Sequence, residues 1–171
     1  MNNHTRIFIT GNAGSGKTTL AKFMSNLLNV PYYSLDSIVW QPYWQVTSSD
    51  ERKQLISDLL AKEEWIIEGV SSDVLINAKT IIFLDTSRFL CYIRLIKRNY
   101  KFLFKSRPEL PNNCPEIKIV GKLIKIVWRF KSMVRPTIIK HMERNDIKIY
   151  HIKTKNNFLN LYKNINNYVR K

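Results

Sequence analysis

The residues with the clearest chemical signature are Gly11-Asn12-Ala13-Gly14-Ser15-Gly16-Lys17-Thr18. They match GxxxxGK[ST], with an additional glycine at Gly14. Glycines at this spacing let the backbone curl, so that successive N–H groups point inward at phosphate oxygens. A helix opening at Lys17 adds the unpaired N–H groups and positive dipole end of its first turn. In this arrangement Lys17 reaches the β- and γ-phosphates and Thr18 offers its hydroxyl to Mg²⁺. The binding residues are therefore expected to run from Gly11 through Thr19, with Mg-ATP as the ligand. A second acidic group commonly helps to hold the magnesium water shell. Glu68, at the end of the apolar run Trp65-Ile66-Ile67, is the best placed candidate, and Asp36 and Asp85 compete with it. Asp85 precedes Thr86-Ser87-Arg88 and a helix, so a capping role suits it better. Asp36 could accept a proton or a hydrogen bond from an acceptor hydroxyl, or it could serve only as a cap or turn residue.

These residues need elements to position them. Arg6–Thr10 reads as a short buried strand that stops at Gly11, and a helix is predicted from Lys17 to about Leu28, with Leu20, Phe23, Met24, Leu27 and Leu28 inward. Tyr32–Leu35 is predicted as the second strand, Trp65–Ile67 as the third, Thr80–Leu84 as the fourth and Ile147–Ile152 as the fifth. Ser48-Ser49-Asp50-Glu51 has the pattern of a helix start, followed by Leu55, Ile56, Leu59 and Leu60 as the apolar stripe. A long helix is predicted over about 87–104, and a terminal helix carries Phe158, Leu161, Ile165 and Tyr168. Strands that alternate with helices imply a parallel sheet covered on both faces, with ligands beyond the carboxyl ends of the strands. Gly11, Asp36, Glu68 and Asp85 all fall at predicted strand ends. There is no internal repeat.

The 171 residues, 44% of them apolar, suit one α/β domain rather than a disordered chain. No run approaches the roughly 18 apolar residues of a membrane span, and residues 1–6 lack the pattern of a secretion signal. A cytoplasmic protein without membrane partners is expected; weak peripheral attachment through the basic helix is a third, less favoured reading, with no lipidation signal to support it. Cys91 and Cys114 have no metal-ligand spacing and read as free thiols. His4, His141 and His151 form no visible constellation.

The net charge of +15 is unevenly placed: residues 88–144 hold 15 Lys/Arg against 3 Asp/Glu. Within this block the three prolines of residues 105–115 rule out a regular helix, and a helix is predicted over about 116–130. Residues 99–135 read as a basic, lid-like insertion before the last strand. Arg94 and Arg98 share a helix face, and Lys118, Lys122, Lys125 and Arg129 form one basic stripe. Arginines closing over a transferring phosphoryl group would stabilise its charge and exclude water. The bidentate fork ranks Arg94, Arg98, Arg129 and Arg135 above the lysines, which suit a solvent-facing stripe. A basic block can also attract nucleic acid, although no nucleic-acid-binding motif is present.

Taken in order, the glycine loop, Asp36, Trp65-Ile66-Ile67-Glu68-Gly69, Thr80–Asp85 and Arg94-Leu95-Ile96-Lys97-Arg98 resemble the adenylate kinase-like P-loop kinases. More narrowly, Leu35-Asp36-Ser37-Ile38-Val39-Trp40-Gln41-Pro42, Arg107-Pro108, Cys114-Pro115-Glu116 and the helix from Trp128 to Arg135-Pro136 resemble the bacterial topology modulation (FlaR-type) proteins. The resemblance implies a three-layer P-loop fold with a five-stranded parallel sheet of order 2-3-1-4-5 and a helical basic lid. It implies a kinase that passes the γ-phosphoryl group of ATP to a small acceptor, or else an ATP-binding regulator that associates with DNA or RNA. By position, Arg94 would lie near the adenine, Arg98 near the phosphates, and Arg129 and Arg135 in the lid. Val70-Ser71-Ser72 stands where adenylate kinases carry Pro-Arg after Asp-Gly, which argues against AMP as acceptor. The aromatic segment Tyr32, Tyr33, Trp40, Tyr43 and Trp44 suggests an acceptor with a ring to stack on, although core packing is the commoner use of such residues.

Overall fold

The computed structural model describes residues 5–144 and 146–169. Its elements are β1 (Arg6–Gly11), α1 (Lys17–Leu28), β2 (Tyr32–Ser34), α2 (Leu35–Val39), β3 (Trp40–Gln41), β4 (Gln45–Val46), α3 (Ser49–Leu60), β5 (Trp65–Glu68), α4 (Ser72–Asn77), β6 (Thr80–Leu84), α5 (Arg88–Phe102), α6 (Val120–Met133), α7 (Arg135–His141), β7 (Lys148–Ile152) and α8 (Lys155–Val169). Single 3-10 turns occupy Pro42–Trp44 and Glu116–Lys118. The main sheet runs β2-β5-β1-β6-β7 with every pair parallel. With the small antiparallel β3–β4 hairpin set apart, this is the predicted 2-3-1-4-5 order.

Strand alternation divides the core into two faces. Ile7, Ile9, Ile66 and Ile82 point to one side, where they meet Leu20 and Met24 of α1 and Leu161 of α8. Phe8, Trp65, Ile67 and Ile81 point to the other and meet Leu35, Val74 and Leu75. Both faces are covered, which explains why β5 is buried at all four positions. The serine-led helix starts form as side-chain caps: Ser48 accepts from the Glu51 N–H at 3.2 Å.

Some details differ from the sequence expectation. Leu35 opens α2 rather than closing β2, so Asp36 sits in a first helical turn. Phe23 lies at the surface of α1, where it stacks with Tyr162. No residue of α3 is fully buried. The helix predicted over 116–130 is broken at Ile119, whose φ of −122° and ψ of 1° separate the Glu116–Lys118 turn from α6. It then runs on as α6 to Met133, where Pro136 forces a new helix, α7. His4 and the side chain of Tyr168 lie outside the described residues.

Candidate functional site

The loop after β1 is shaped by close approach. Gly11 and Gly14 have φ of 151° and 77°. A Cβ at Gly11 would lie 2.6 Å from the Leu84 carbonyl oxygen, and one at Gly14 2.7 Å from that of Cys91. The loop is therefore pressed between the end of β6 and α5. The Ser15 N–H donates to the Asn12 carbonyl at 3.1 Å and tightens the turn. Gly16, in a left-handed conformation, precedes α1 and supplies no side-chain cap, and the first turn holds no acidic residue. The leading N–H groups of α1, around Lys17, Thr18 and Thr19, have no capping side chain, which is the condition for an anion site at the start of a helix. Lys17 Nζ donates to the Asn12 carbonyl at 3.0 Å, so the amine rests on its own loop.

Asn12 also ties the loop to α6. Its Nδ2 donates to the Val127 carbonyl of α6 at 3.1 Å, and its Oδ1 accepts from the Ala13 N–H at 2.8 Å. From α5, Arg94 Nη1 donates to the Ser15 carbonyl at 2.9 Å.

Glu68 is buried at the end of β5. One of its oxygens accepts from Thr18 Oγ1 at 3.0 Å and from Ser34 Oγ at 2.7 Å. The Thr18 hydroxyl and the Glu68 carboxylate thus meet at the mouth of the loop. Both are hard oxygen donors, the type Mg²⁺ takes beside phosphate oxygens and water. Among the described residues no cluster of three His, Cys, Asp or Glu forms a metal cage.

Asp36 and Arg98 come together through two residues that the sequence reading left without a role. Glu116 is fully buried, and both arginines that flank it reach its carboxylate. Arg98 Nη2 is 3.4 Å from Oε2, and Arg107 Nε is in ion contact with Oε1. Arg107, itself buried, extends Nη2 to within 3.5 Å of Asp36. Burial pushes the Arg98 guanidinium below its usual range, the neighbouring Arg107 adds to this, and Glu116 and Asp36 oppose it. Arginine remains charged here. One signal for this cluster was available: in a block so short of acids, a carboxylate beside prolines is a natural internal counter-charge.

Asp85 is not a cap. Ser87 caps α5 by accepting from the Leu90 N–H, and Asp85 instead takes a bidentate contact from Arg135, with Nη2 at 2.9 Å and Nε at 3.1 Å. His151 Nε2 lies 2.9 Å from the same carboxylate and its ring stacks on Phe83. Arg135 is therefore engaged at the end of β6, while Arg129 is exposed on α6 and forms no ion pair among the described residues. Burial alone would raise the Asp85 pKa, but the hydrogen bonds from Arg135 and His151 outweigh it and hold the group below its usual 3.8. A carboxyl group lowered on folding stabilises the protein above its unfolded pKa, and this contribution is lost as pH falls through the folded value. Asp85→Asn should therefore lose less stability than wild type between about pH 5 and pH 3, as read from urea midpoints.

Residues 115–122 touch the β3–β4 hairpin and the turn within it. Trp44 Nε1 donates to the Pro115 carbonyl at 2.9 Å, and Lys122 Nζ sits 4.5 Å from the Trp40 ring centroid. Trp40 and Trp44 meet edge to face at 5.2 Å. These rings are partly used by protein contacts, and Lys122 leaves the solvent-facing stripe to reach one of them. A cavity of about 660 Å³ opens at the opposite end of the sheet, among Ile7, Met24, Ile82 and Leu161, away from the phosphate loop.

No protein-family model and no curated protein matches the chain. Solved structures do. A shikimate kinase from Bacteroides thetaiotaomicron is 15% identical with a TM-score of 0.53, over 98% of this chain and 99% of that one. A shikimate kinase from Acinetobacter baumannii, in complex with shikimate, is 17% identical with a TM-score of 0.52, over 90% and 85%. An uncharacterized protein from Eubacterium ventriosum is 16% identical with a TM-score of 0.50, over 94% and 97%. The chain has a P-loop kinase fold. At these identities the likeness concerns the fold alone. Among the described residues no helix is long and apolar enough to cross a membrane.

Proposed function

We propose that this P-loop protein is an ATP-dependent kinase for a small hydroxyl compound. The observation that carries the reading is the uncapped start of α1, with Lys17 on the loop and Thr18 against Glu68. ATP lies with its phosphates over residues 11–19 and its adenine towards Arg94. Lys17 leaves the Asn12 carbonyl for the β- and γ-phosphates. Thr18 and Glu68 would hold Mg²⁺, which when bound would neutralise charge on those phosphates.

The acceptor lies beside Asp36. Its hydroxyl oxygen forms the new bond to the γ-phosphorus as the bond to the bridging oxygen of ADP breaks, and its proton passes to the Asp36 carboxylate. Arg107 steadies Asp36, and Arg98 lies on the other side of Glu116. The 99–135 insertion serves as the lid, linked to the phosphate loop through Asn12 and to the acceptor side through Trp44. Arg129 and Arg135 belong to this lid, and Arg135 acts near the phosphates only if it leaves Asp85. The order of motifs along the chain supports placing the protein with the FlaR-type topology modulation proteins.

The test is acceptor-dependent ADP release across nucleosides, nucleotides, sugars and hydroxy acids. At least one class should raise the rate more than about tenfold over ATP alone, an enhancement well within ordinary enzymatic acceleration. A flat response across the panel would overturn the reading.

A further inference from the structure

Helix α5 is apolar on two opposite faces. Cys91 and Leu95 are buried against the protein. On the far side Phe89, Ile96 and Tyr100 are 75%, 69% and 88% exposed, and Phe104, just past the helix end, is 77% exposed. Their spacing of seven, four and four places them in one stripe along the helix. An ordinary surface helix keeps charged and polar groups on that side. Lys97 and Lys101 run parallel to the stripe, four residues apart and exposed, and exposed Lys105 follows in the turn past the helix end.

Helix α6 widens the surface. The Ile117 N–H donates to the Leu103 carbonyl at 3.2 Å, and Tyr92 Oη donates to the Ile124 carbonyl at 3.1 Å. The Arg88 guanidinium lies 4.6 Å from the Trp128 ring centroid. The two helices therefore run antiparallel, and Trp128, 63% exposed, adds an aromatic ring to the surface at Arg88, near the start of α5. Lys118, Lys125 and Arg129 add exposed positive charge on α6 and the turn before it. Residues 88–105 and 117–133 contain no Asp or Glu.

We propose that the outer face of α5 and α6 is a docking surface for an anionic phospholipid bilayer. Aromatic and aliphatic side chains bordered by lysines, with no acid between them, match an interface whose apolar chains lie beneath negative headgroups. A second copy of the chain fits poorly. Two such faces would bring lysine rows together with no carboxylate to offset them. A nucleic acid would be met by stacking rings along a groove. Here Ile96 stands in the middle of the stripe, and the stripe lies on the outer side of a helix. The surface is separate from the phosphate loop and does not depend on the kinase reading.

The experiment is co-sedimentation of the full chain with vesicles of phosphatidylcholine alone and with vesicles containing about one third phosphatidylglycerol. Wild type should pellet with the second and not the first, and the binding should weaken with salt. This comparison needs no variant. Y100S/F104S should lower the vesicle partition coefficient about tenfold or more through lost apolar insertion. K97Q/K101Q/K105Q should lower it by about fivefold per lysine. Four results would overturn the proposal. The first is equal or absent pelleting with both vesicles. The second is binding that Y100S/F104S leaves unchanged, which would mean only bulk attraction of a basic protein. The third is displacement from vesicles by single-stranded RNA that binds more tightly through the same side chains. The fourth is a solution dimer that Y100S/F104S dissociates.

Discussion

Lys17→Ala is expected to lower kcat/KM for phosphoryl transfer about 10³-fold, close to 4 kcal/mol of transition-state stabilisation. The melting temperature should stay within a degree or two of wild type, as for other substitutions that break no buried network. The two halves of this expectation come from the same geometry. Among the described residues Lys17 Nζ makes a hydrogen bond only to the Asn12 carbonyl, at 3.0 Å, and the residue is half-buried. Nothing in the core depends on it. During transfer, however, negative charge spreads over the β- and γ-phosphates, and no other lysine lies in the loop to meet it. Lys17→Arg should recover only part of the rate, because a fork cannot occupy the position of a point charge. The measurement is ADP release with an acceptor found in the panel, beside ATP calorimetry. A variant that turns over ATP within threefold of wild type would remove the phosphate loop from the mechanism.

The two halves of the chain were not equally legible. The loop and the sheet could be read because each rests on short-range rules. Gly11, Gly14 and Gly16 answer to backbone conformation, and the runs at Ile7, Ile66 and Ile81 answer to burial on both faces. Glu68 could be picked out because a carboxylate that ends an apolar strand has few alternatives to a polar partner, and Thr18 and Ser34 are those partners. The insertion was harder, because its contacts cross long sequence distances. The Arg107–Asp36 contact joins the proline loop to α2, and Arg135–Asp85 joins α7 to the end of β6. No periodicity reports such pairs. Arginine ranking by charge and fork geometry picked out Arg98 and Arg135 but not their carboxylates. It left Asp85 as a cap because a local rule was the only one available there. The aromatic hairpin could be read only as two alternatives, an acceptor platform or packing, and its partners Lys122 and Pro115 lie more than 70 residues away in the chain.

Glu116→Ala should be among the most destabilising single substitutions in the protein, at about 3–5 kcal/mol. Glu116 is fully buried and its carboxylate lies between Arg98 and Arg107. Removing it strands two guanidinium groups, one of them buried, and leaves the half-exposed Asp36 as the remaining ion-pair partner of Arg107 among the described residues. Desolvation of an unpaired charge, rather than loss of an attractive contact, sets the size of the effect. Glu116→Gln keeps the shape and one acceptor oxygen, so it should fall between wild type and Glu116→Ala. The discriminating variant is the double change Glu116→Gln with Arg98→Met. If stranded charge is the cause, it should be more stable than Glu116→Gln alone, a coupling that two independent contacts would not produce. Urea midpoints with unchanged slopes provide the measurement. A Glu116→Ala protein as stable as wild type would mean that the two arginines reach solvent. Under the proposed kinase reading the same cluster also has an effect on transfer. Arg107 is the residue through which buried Glu116 reaches Asp36, so relaxing it should raise the acceptor KM more than the KM for ATP. That difference would separate a cluster that positions the acceptor side from one that only holds the insertion in place.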